Sequence, residues 1–301
     1  MIDLINAITF PDWISPDAIS IGSFSVKWYG LAYIAGLYGA YFYAASLVKK
    51  RDIWIADVAT RQPEIVPTKI MLQDLMMYCL IGIIVGGRLG YVALYSPSMF
   101  VNAPLDVFKV WQGGMAFHGG FLGVCGAVIY ASWKKKLGLA RIADMAAVGA
   151  PLGLLAVRFF GNFVNQELYG RVTDVPWAFI FSTAPDSQPR HPSQLYEAFL
   201  EGIVIFLVLR FLCLKFKALT KPGLCAGMFV LLYGVFRFSV EFVREPDATM
   251  FGPLTRGMTY SLPMVFVGLA VVFWANRRTP VSPRRVNPDC LLYTSPSPRD
   301  S

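Results

Sequence analysis

Histidine is scarce: His118 and His191 are the whole supply in 301 residues, so one chain cannot build a multi-histidine metal centre. Charge is scarce too. Asp, Glu, Lys and Arg make up 15% of the chain, against about 25% in an average soluble domain, which argues against a surface that faces water on all sides. The five cysteines, Cys79, Cys125, Cys213, Cys225 and Cys290, form no CxxC pair and lie mostly inside apolar runs. They read as small buried hydrophobes, with little case for a disulfide or zinc site. The opening MIDLINAITFPDW has neither the basic start nor the apolar core of a cleavable signal peptide, and none is expected.

What the chain has instead is apolar length. Hydrophobic residues reach 55%, and they come in blocks near the ~20 residues that a membrane crossing needs. Seven blocks qualify: Tyr29–Val48, Leu72–Tyr95, Phe117–Trp133, Ile142–Phe163, Leu195–Leu214, Leu224–Val243 and Tyr260–Ala275. Glycines recur inside them, as in IGIIVGGRLG and HGGFLGVCGA, and small residues let helices approach closely in lipid. The expected fold class is an all-α polytopic membrane protein of about seven transmembrane helices with a small head segment outside the bilayer. The net charge of +8 does not point to nucleic acid, because the cations sit at helix ends rather than on one continuous face. Lys49, Lys50 and Arg51 follow the first block, Lys134 to Lys136 the third, Lys215, Lys217 and Lys221 the fifth, and Arg277 and Arg278 the seventh. By the positive-inside rule the odd helices exit into the cytoplasm, which puts the amino terminus outside and the carboxyl terminus inside. Trp13, Trp28, Trp111 and Trp177 fall near the proposed interfaces. The expected divisions are an outer segment 1–28, a membrane domain 29–278 with a head insertion at 164–194, and a disordered tail 279–301 whose end, LLYTSPSPRDS, reads as in part artefactual.

A charge inside a spanning helix costs a few kcal/mol or more and asks for a reason. The candidates are Arg88, Arg158 and the pair Arg237 and Glu241, with His118 opening the third helix and Asn162, Asn165 and Glu167 closing the fourth. At ~1.5 Å of rise per residue, each of these falls in the outer half of its helix, so every unusual polar group is expected in one leaflet. Bland readings stand beside the sharp one. A membrane arginine often snorkels to the interface, Glu241 one turn from Arg237 can serve only to neutralise it, and a histidine at a helix start is often structural. Several arginines facing one outer cavity suit a phosphate. With no nucleotide loop and no metal cluster, the residues lead as far as a protein that handles phospholipid, enzyme or transporter undecided.

The strings KWYGLAY, GGRLGYV, WQGGMAFHGG, GNFVNQELYGR, RHPSQLYE and YGVFRFSVEFVREPD occur in this order. Together they resemble the bacterial prolipoprotein diacylglyceryl transferases, over about residues 21–278. The resemblance implies a multi-pass protein of the bacterial inner membrane, with the amino terminus periplasmic and the carboxyl terminus cytoplasmic. It implies transfer of the diacylglyceryl group of phosphatidylglycerol to the lipobox cysteine thiol of a prolipoprotein signal peptide, with release of glycerol phosphate. It implies no cofactor and no metal. Catalytic roles fall on His118 in FHGG, Arg237 in YGVFR, Tyr29 in WYG and Asn162 in GNF. Substrate binding falls on Arg158, Gly170, Glu167, Tyr233 and Arg88. Two departures stand out. Lys27 precedes WYG where some members carry histidine. Arg158 lies four residues before Asn162, where the family spacing is three, so Phe159 takes the expected arginine position. One residue turns a side chain by ~100° around a helix. Either a local bulge keeps Arg158 in place, or its role is reduced, or the sequence is in error there.

The chemistry implied is displacement at a glycerol carbon by sulfur. A thiol with a pKa near ~8.5 needs a base, a part expected of His118, while Arg237 and Arg158 hold the departing phosphate and Asn162 and Tyr29 supply hydrogen bonds. The rivals are a non-enzymatic phospholipid or solute transporter, for which repeats and midplane polar groups would be expected, and a polyprenyl-phosphate transferase, for which Asp186 and Asp247 are too isolated to form an acidic metal motif.

Overall fold

The computed structural model describes residues 7–22, 24–55, 66–110, 113–246, 249–251 and 254–278. Trp111, Asp247, Cys290 and the tail 279–301 lie outside the described residues. The elements follow in chain order: β1 (Ile8–Thr9), β2 (Asp17–Ile21), β3 (Phe24–Lys27), α1 (Trp28–Val48), α2 (Lys69–Tyr95), the short α3 (Met99–Asn102), α4 (Phe117–Lys135), α5 (Leu139–Ala156), β4 (Phe179–Ile180), α6 (Ser193–Glu197), α7 (Ile205–Lys215), α8 (Leu224–Val240), β5 (Thr249–Phe251), β6 (Leu254–Thr255) and α9 (Arg256–Arg277). Two wider, π-helical stretches join these pieces into longer rods. Val157–Phe163 extends α5, and Ala198–Val204 links α6 to α7.

Among the described residues, four rods are long and apolar enough to cross a membrane: Trp28–Val48, Lys69–Tyr95, Leu139–Phe163 and Arg256–Arg277. The other long rods carry features that lower their apolar length. Lys134 and Lys135 end α4, Glu197, Glu201 and Arg210 interrupt residues 193–215, and α8 has only 17 residues. The outward faces are apolar. Ile34, Phe42, Ile70 and Phe266 are 57%, 64%, 68% and 68% exposed, a surface too hydrophobic for water and suited to lipid.

Glycine sets the closest helix contacts. On α2, Gly82, Gly86 and Gly90 face Gly119 and Gly123 of α4 so tightly that a Cβ on Gly86 would lie 2.4 Å from the Gly119 carbonyl oxygen. This close approach is what small residues permit where no hydrophobic force drives helices together. Gly227, Gly234 and Gly268 do the same between α8 and α9. Helices α2 and α9 are capped at their starts by threonine side chains. The Thr68 hydroxyl accepts from Met71 N at 3.2 Å and the Thr255 hydroxyl from Met258 N at 3.2 Å, each satisfying an amide that has no partner within the helix.

The aliphatic core gathers at the end of the bundle where α1 and α7 finish, around Trp54, Leu47, Ile142, Leu209 and Leu219. Here one expectation is corrected. The unusual polar groups do not all lie in one half, because Asp144 and Arg141 are buried in this end, 0% and 3% exposed. Asp144 accepts from Gly223 N at 2.7 Å and Ala226 N at 2.9 Å, so a carboxylate from α5 caps the start of α8. Arg141 donates to the Leu219 carbonyl.

At the opposite end the first residues join the 164–194 segment. Strand β1 pairs in parallel with β4, and Arg190 bridges both Val172 and Phe179. Phe10, Phe163, Phe179 and Phe181 pack edge to face and stacked beneath these strands. The β2–β3 hairpin leads straight into α1, and Lys27 pairs with Asp17 at 3.1 Å across its base.

Candidate active site

At residue 157 the α5 rod widens into the π-helical stretch Val157–Phe163. A π-bulge accommodates one residue more than the α-helix does, and this is where the sequence carries four residues of spacing rather than three. Arg158 therefore turns inward despite Phe159. Its Nη1 lies 3.4 Å from Asn162 Oδ1 and 3.1 Å from Glu197 Oε2, and its Nε 3.2 Å from Glu201 Oε2. The second π-helical stretch follows Glu197 at once and holds Glu201 one turn on.

Glu197 is the centre of the cluster. Besides Arg158, its Oε1 is 3.7 Å from Arg237 Nη1 and 3.4 Å from Arg244 Nη1. Arg237 also pairs with Glu241, which accepts from the Thr255 hydroxyl at 2.7 Å. Three guanidinium groups thus balance three carboxylates. Such burial is tolerated only because each charge is paired: Glu197 and Glu201 are 0% exposed, Glu241 2% and Arg244 5%. Arg158 and Arg237 differ, since their side chains keep 12% and 13% of their surface open. Among the described residues no hydrogen bond or ion pair engages Nη2 of Arg158 or Nε and Nη2 of Arg237. Buried carboxylate oxygens Glu197 Oε2 and Glu201 Oε1 lack a hydrogen-bond partner among the described residues.

The remaining candidates take distinct places. Tyr29 opens α1 against the backbone beside Asn162, where a Cβ on Gly161 would stand 3.2 Å from its ring, and it meets Tyr33 at 5.3 Å between ring centroids. Asn162 is 2% exposed. Tyr233 lies one turn before Arg237 on α8 and stacks on Phe229 at 6.1 Å. His118 is in the first turn of α4 and faces Tyr260 of α9 edge-on at 5.8 Å. One turn earlier on α9, Gly257 lies against the Glu241 carboxylate so closely that a Cβ would sit 2.4 Å from Oε2. Neighbouring turns of α9 thus lie against His118 at Tyr260 and against the Glu241 carboxylate at Gly257.

Arg88 is not one of the cluster's contacts. It is 4% exposed, and its Nε donates to the Val107 carbonyl at 2.9 Å while its terminal nitrogens donate to the carbonyls of Asp106, Gly113 and Gly114. It pins the loop that leads into His118. Gly170 is where head segments cross: its N–H donates to His191 O at 2.8 Å, its carbonyl accepts from Arg190 Nη1 at 3.2 Å, and a Cβ would stand 2.5 Å from the Val243 carbonyl. Glu167 touches the cluster's edge through Asn162: its backbone N–H donates to the Asn162 carbonyl at 2.9 Å, and its carboxylate accepts from the Asn162 side chain. It lines, with Gln166, Leu168, Tyr169, Thr183 and Glu245, a cavity of about 430 Å3 in the head, and its flanking residues Gln166 and Leu168 hold positive φ of 55° and 59°, a strained conformation for non-glycine residues.

Glu197, Glu201, Arg244 and Thr255 were absent from the sequence candidates. The signal for the two glutamates was available: an acidic pair four residues apart, E-A-F-L-E, inside the fifth apolar block.

A bundle with apolar outward faces and a buried, partly open ionic cluster at one end defines a membrane protein. The family is set by comparison with known proteins. The model of the family "Prolipoprotein diacylglyceryl transferase" matches residues 16–274, and the chain belongs to that family. It is 45% identical over 271 residues to the phosphatidylglycerol–prolipoprotein diacylglyceryl transferase of Methylocella silvestris, covering 89% of this chain and 96% of the relative. The protein of the same name from Brucella anthropi is 44% identical over 276 residues, 90% and 95% of the two chains. That of Rhodopseudomonas palustris is 41% identical over 290 residues, 94% and 96%.

Proposed function

We propose that this chain transfers the diacylglyceryl group of phosphatidylglycerol to the cysteine thiol of a prolipoprotein, and that the Glu197-centred cluster receives the phosphate. The observation that carries this reading is the pair Arg158 and Arg237, held from behind by Glu197, Glu201 and Glu241 while their remaining N–H donors stay open. Guanidinium groups fixed in this way can bind a phosphodiester without first reorganising.

The reaction is a displacement. The cysteine sulfur forms a bond to the glycerol carbon, the bond from that carbon to the phosphate oxygen breaks, and its electron pair leaves with glycerol phosphate. Charge grows on the departing phosphate beside Arg158 and Arg237, which lowers the barrier in a site shielded from water. His118 takes the thiol proton. Tyr29, Asn162 and Tyr233 surround the arginines and orient the headgroup, while Glu167 and Gly170 shape the head above it. Arg88 acts through the loop it pins and so sets the position of His118. The apolar walls leave the acyl chains in lipid.

The seven rods are read as seven crossings, with the amino terminus and the head outside the inner membrane and the carboxyl terminus in the cytoplasm. The lysines and arginines at the ends of α1, α4, α7 and α9 support that orientation. The transporter alternative is not favoured, because the family and its named relatives are transferases.

Purified protein supplied with labelled phosphatidylglycerol and a lipobox peptide is expected to transfer label to the peptide thiol, and His118→Ala is expected to abolish that transfer. No transfer by the wild-type chain would overturn the reading. Full activity in His118→Ala would remove the base assignment alone.

A further inference from the structure

We propose a second lipid seat at the other end of the bundle: a groove on α7 that holds the phosphodiester headgroup of an anionic phospholipid in the leaflet opposite the active site. It rests on the orientation given above only for naming that leaflet as cytoplasmic.

The groove has a volume of about 360 Å3 and is lined by Leu207, Arg210, Phe211, Leu214 and Lys215. This spacing is one helical face, i, i+3, i+4, i+7 and i+8. The upper part is an apolar stripe: Leu207 and Phe211 are 55% and 57% exposed. The lower part is cationic. Arg210 lies within the spanning rod, about 7.5 Å of helix rise above Lys215, where an unpaired charge is costly. Among the described residues neither Arg210 nor Lys215 forms an ion pair. Arg210 keeps its Cζ 5.9 Å from the ring of Tyr43, which α1 presents as the side wall beside Phe206.

The surroundings strengthen the charge. The turn Arg51–Ile53 meets Ala218–Thr220, which brings the exposed Lys49, Lys50 and Arg51 to the same rim as Lys217. One carboxylate, Asp52, answers Lys217 at 3.9 Å. An excess of cations below an apolar stripe matches the two ends of an anionic lipid, with its phosphate on Arg210 and Lys215 and its acyl chain along Leu207 and Phe211. A zwitterionic lipid brings a cation of its own to this rim and fits it worse. This seat is separate from the transfer site, which lies at the far end of the same rod, at Glu197 and Glu201.

The probe is phosphatidylserine, which is anionic but lacks the glycerol headgroup, set against phosphatidylcholine. Each is titrated onto the detergent-purified full chain and bound lipid is counted by native mass spectrometry. The wild-type chain is expected to retain phosphatidylserine in preference to phosphatidylcholine. The double variant Arg210→Gln, Lys215→Gln is expected to bind it roughly tenfold more weakly. The swapped variant Arg210→Lys, Lys215→Arg should keep the preference. Diacylglyceryl transfer in detergent should be unchanged in all three, which also reports that they fold. Should the double variant not fold, the single variants are read in its place, each with a smaller loss. Equal phosphatidylserine binding in wild-type and glutamine variants overturns the proposal. So does competition by inorganic phosphate alone, which would mean an ion site, or a wild-type dimer lost in the variant, which would mean that a second copy covers the face. The leaflet is read separately. A cysteine introduced in place of the exposed Lys217 should resist an impermeant maleimide in intact cells, and labelling there would overturn the orientation while leaving the binding result standing.

Discussion

Two regions of this molecule bury charge, and they do it differently. At the end of the bundle where α1 and α7 finish, the Asp144 carboxylate accepts from the amides of Gly223 and Ala226, and Arg141 donates to the Leu219 carbonyl and lies 5.6 Å from the Trp54 ring. Those partners are backbone and aromatic groups fixed by the fold, and both residues are closed off, with Arg141 Nη2 left without a hydrogen-bond partner among the described residues. At the opposite end the side chains of Arg158, Arg237 and Arg244 face those of Glu197, Glu201 and Glu241, two carboxylate oxygens have no hydrogen-bond partner among the described residues, and two of the arginines stay partly open. Buried charge satisfied by backbone ties elements together. Buried charge satisfied by other movable charges, with donors to spare, can take an additional anion. The lesson is that burial alone does not mark a site; the kind of partner does.

The sharpest way to break the comparison is to remove one charge from each region. Arg237→Ala is expected to lower transfer by about 10²–10³-fold, the usual cost of losing one fixed donor to developing negative charge, while the protein still inserts and folds. Labelled-lipid transfer checks this, and near-normal rates would deny the cluster its part. Asp144→Ala should do the reverse. Loss of a buried cap is expected to cost about 1–3 kcal/mol of stability, read as a lower melting temperature in detergent, with the rate per folded molecule unchanged. A third variant has the smallest effect and sharpens the cluster region only. Deleting Phe159 removes the extra residue that the π-helical stretch absorbs, so Arg158 should remain beside Glu197 and activity should stay within about tenfold. Loss as deep as that of Arg237→Ala would show that the bulge itself is required.

These regions were unequally legible in the sequence. Apolar block length foretold the rods, and the glycine-rich strings IGIIVGGRLG and HGGFLGVCGA marked helices able to approach closely, without saying that α2 and α4 would be partners. Thr255 and Thr68 begin α9 and α2 a few residues earlier than the apolar blocks suggested, because a cap lies outside the apolar run it serves. The motif strings brought Arg158, Asn162, Tyr29 and Arg237 into view, and the four-residue spacing from Arg158 to Asn162 falls within the π-helical stretch. Partner choice was not legible. Glu197 meets Arg158, Arg237 and Arg244 from three different elements, and nothing in the local sequence says which arginine a buried carboxylate will find. Asp144 was not among the sequence candidates, because the amides it caps, Gly223 and Ala226, begin α8 some 80 residues along the chain. Arg88 looked like a phosphate ligand for the same reason: its carbonyl partners lie 18 to 26 residues further along the chain.

The central claim is that His118 and the Glu197-centred arginines serve one bound headgroup. A phosphatidylglycerol analogue with a photoreactive glycerol headgroup, cross-linked to the purified protein and mapped by peptide mass spectrometry, tests it most directly. The account predicts adducts both in the first turns of α4 around His118 and on α8 or the Val157–Phe163 stretch, lost together when excess phosphatidylglycerol competes. Adducts confined to one of these places, or two sets that respond separately to competition, would contradict it.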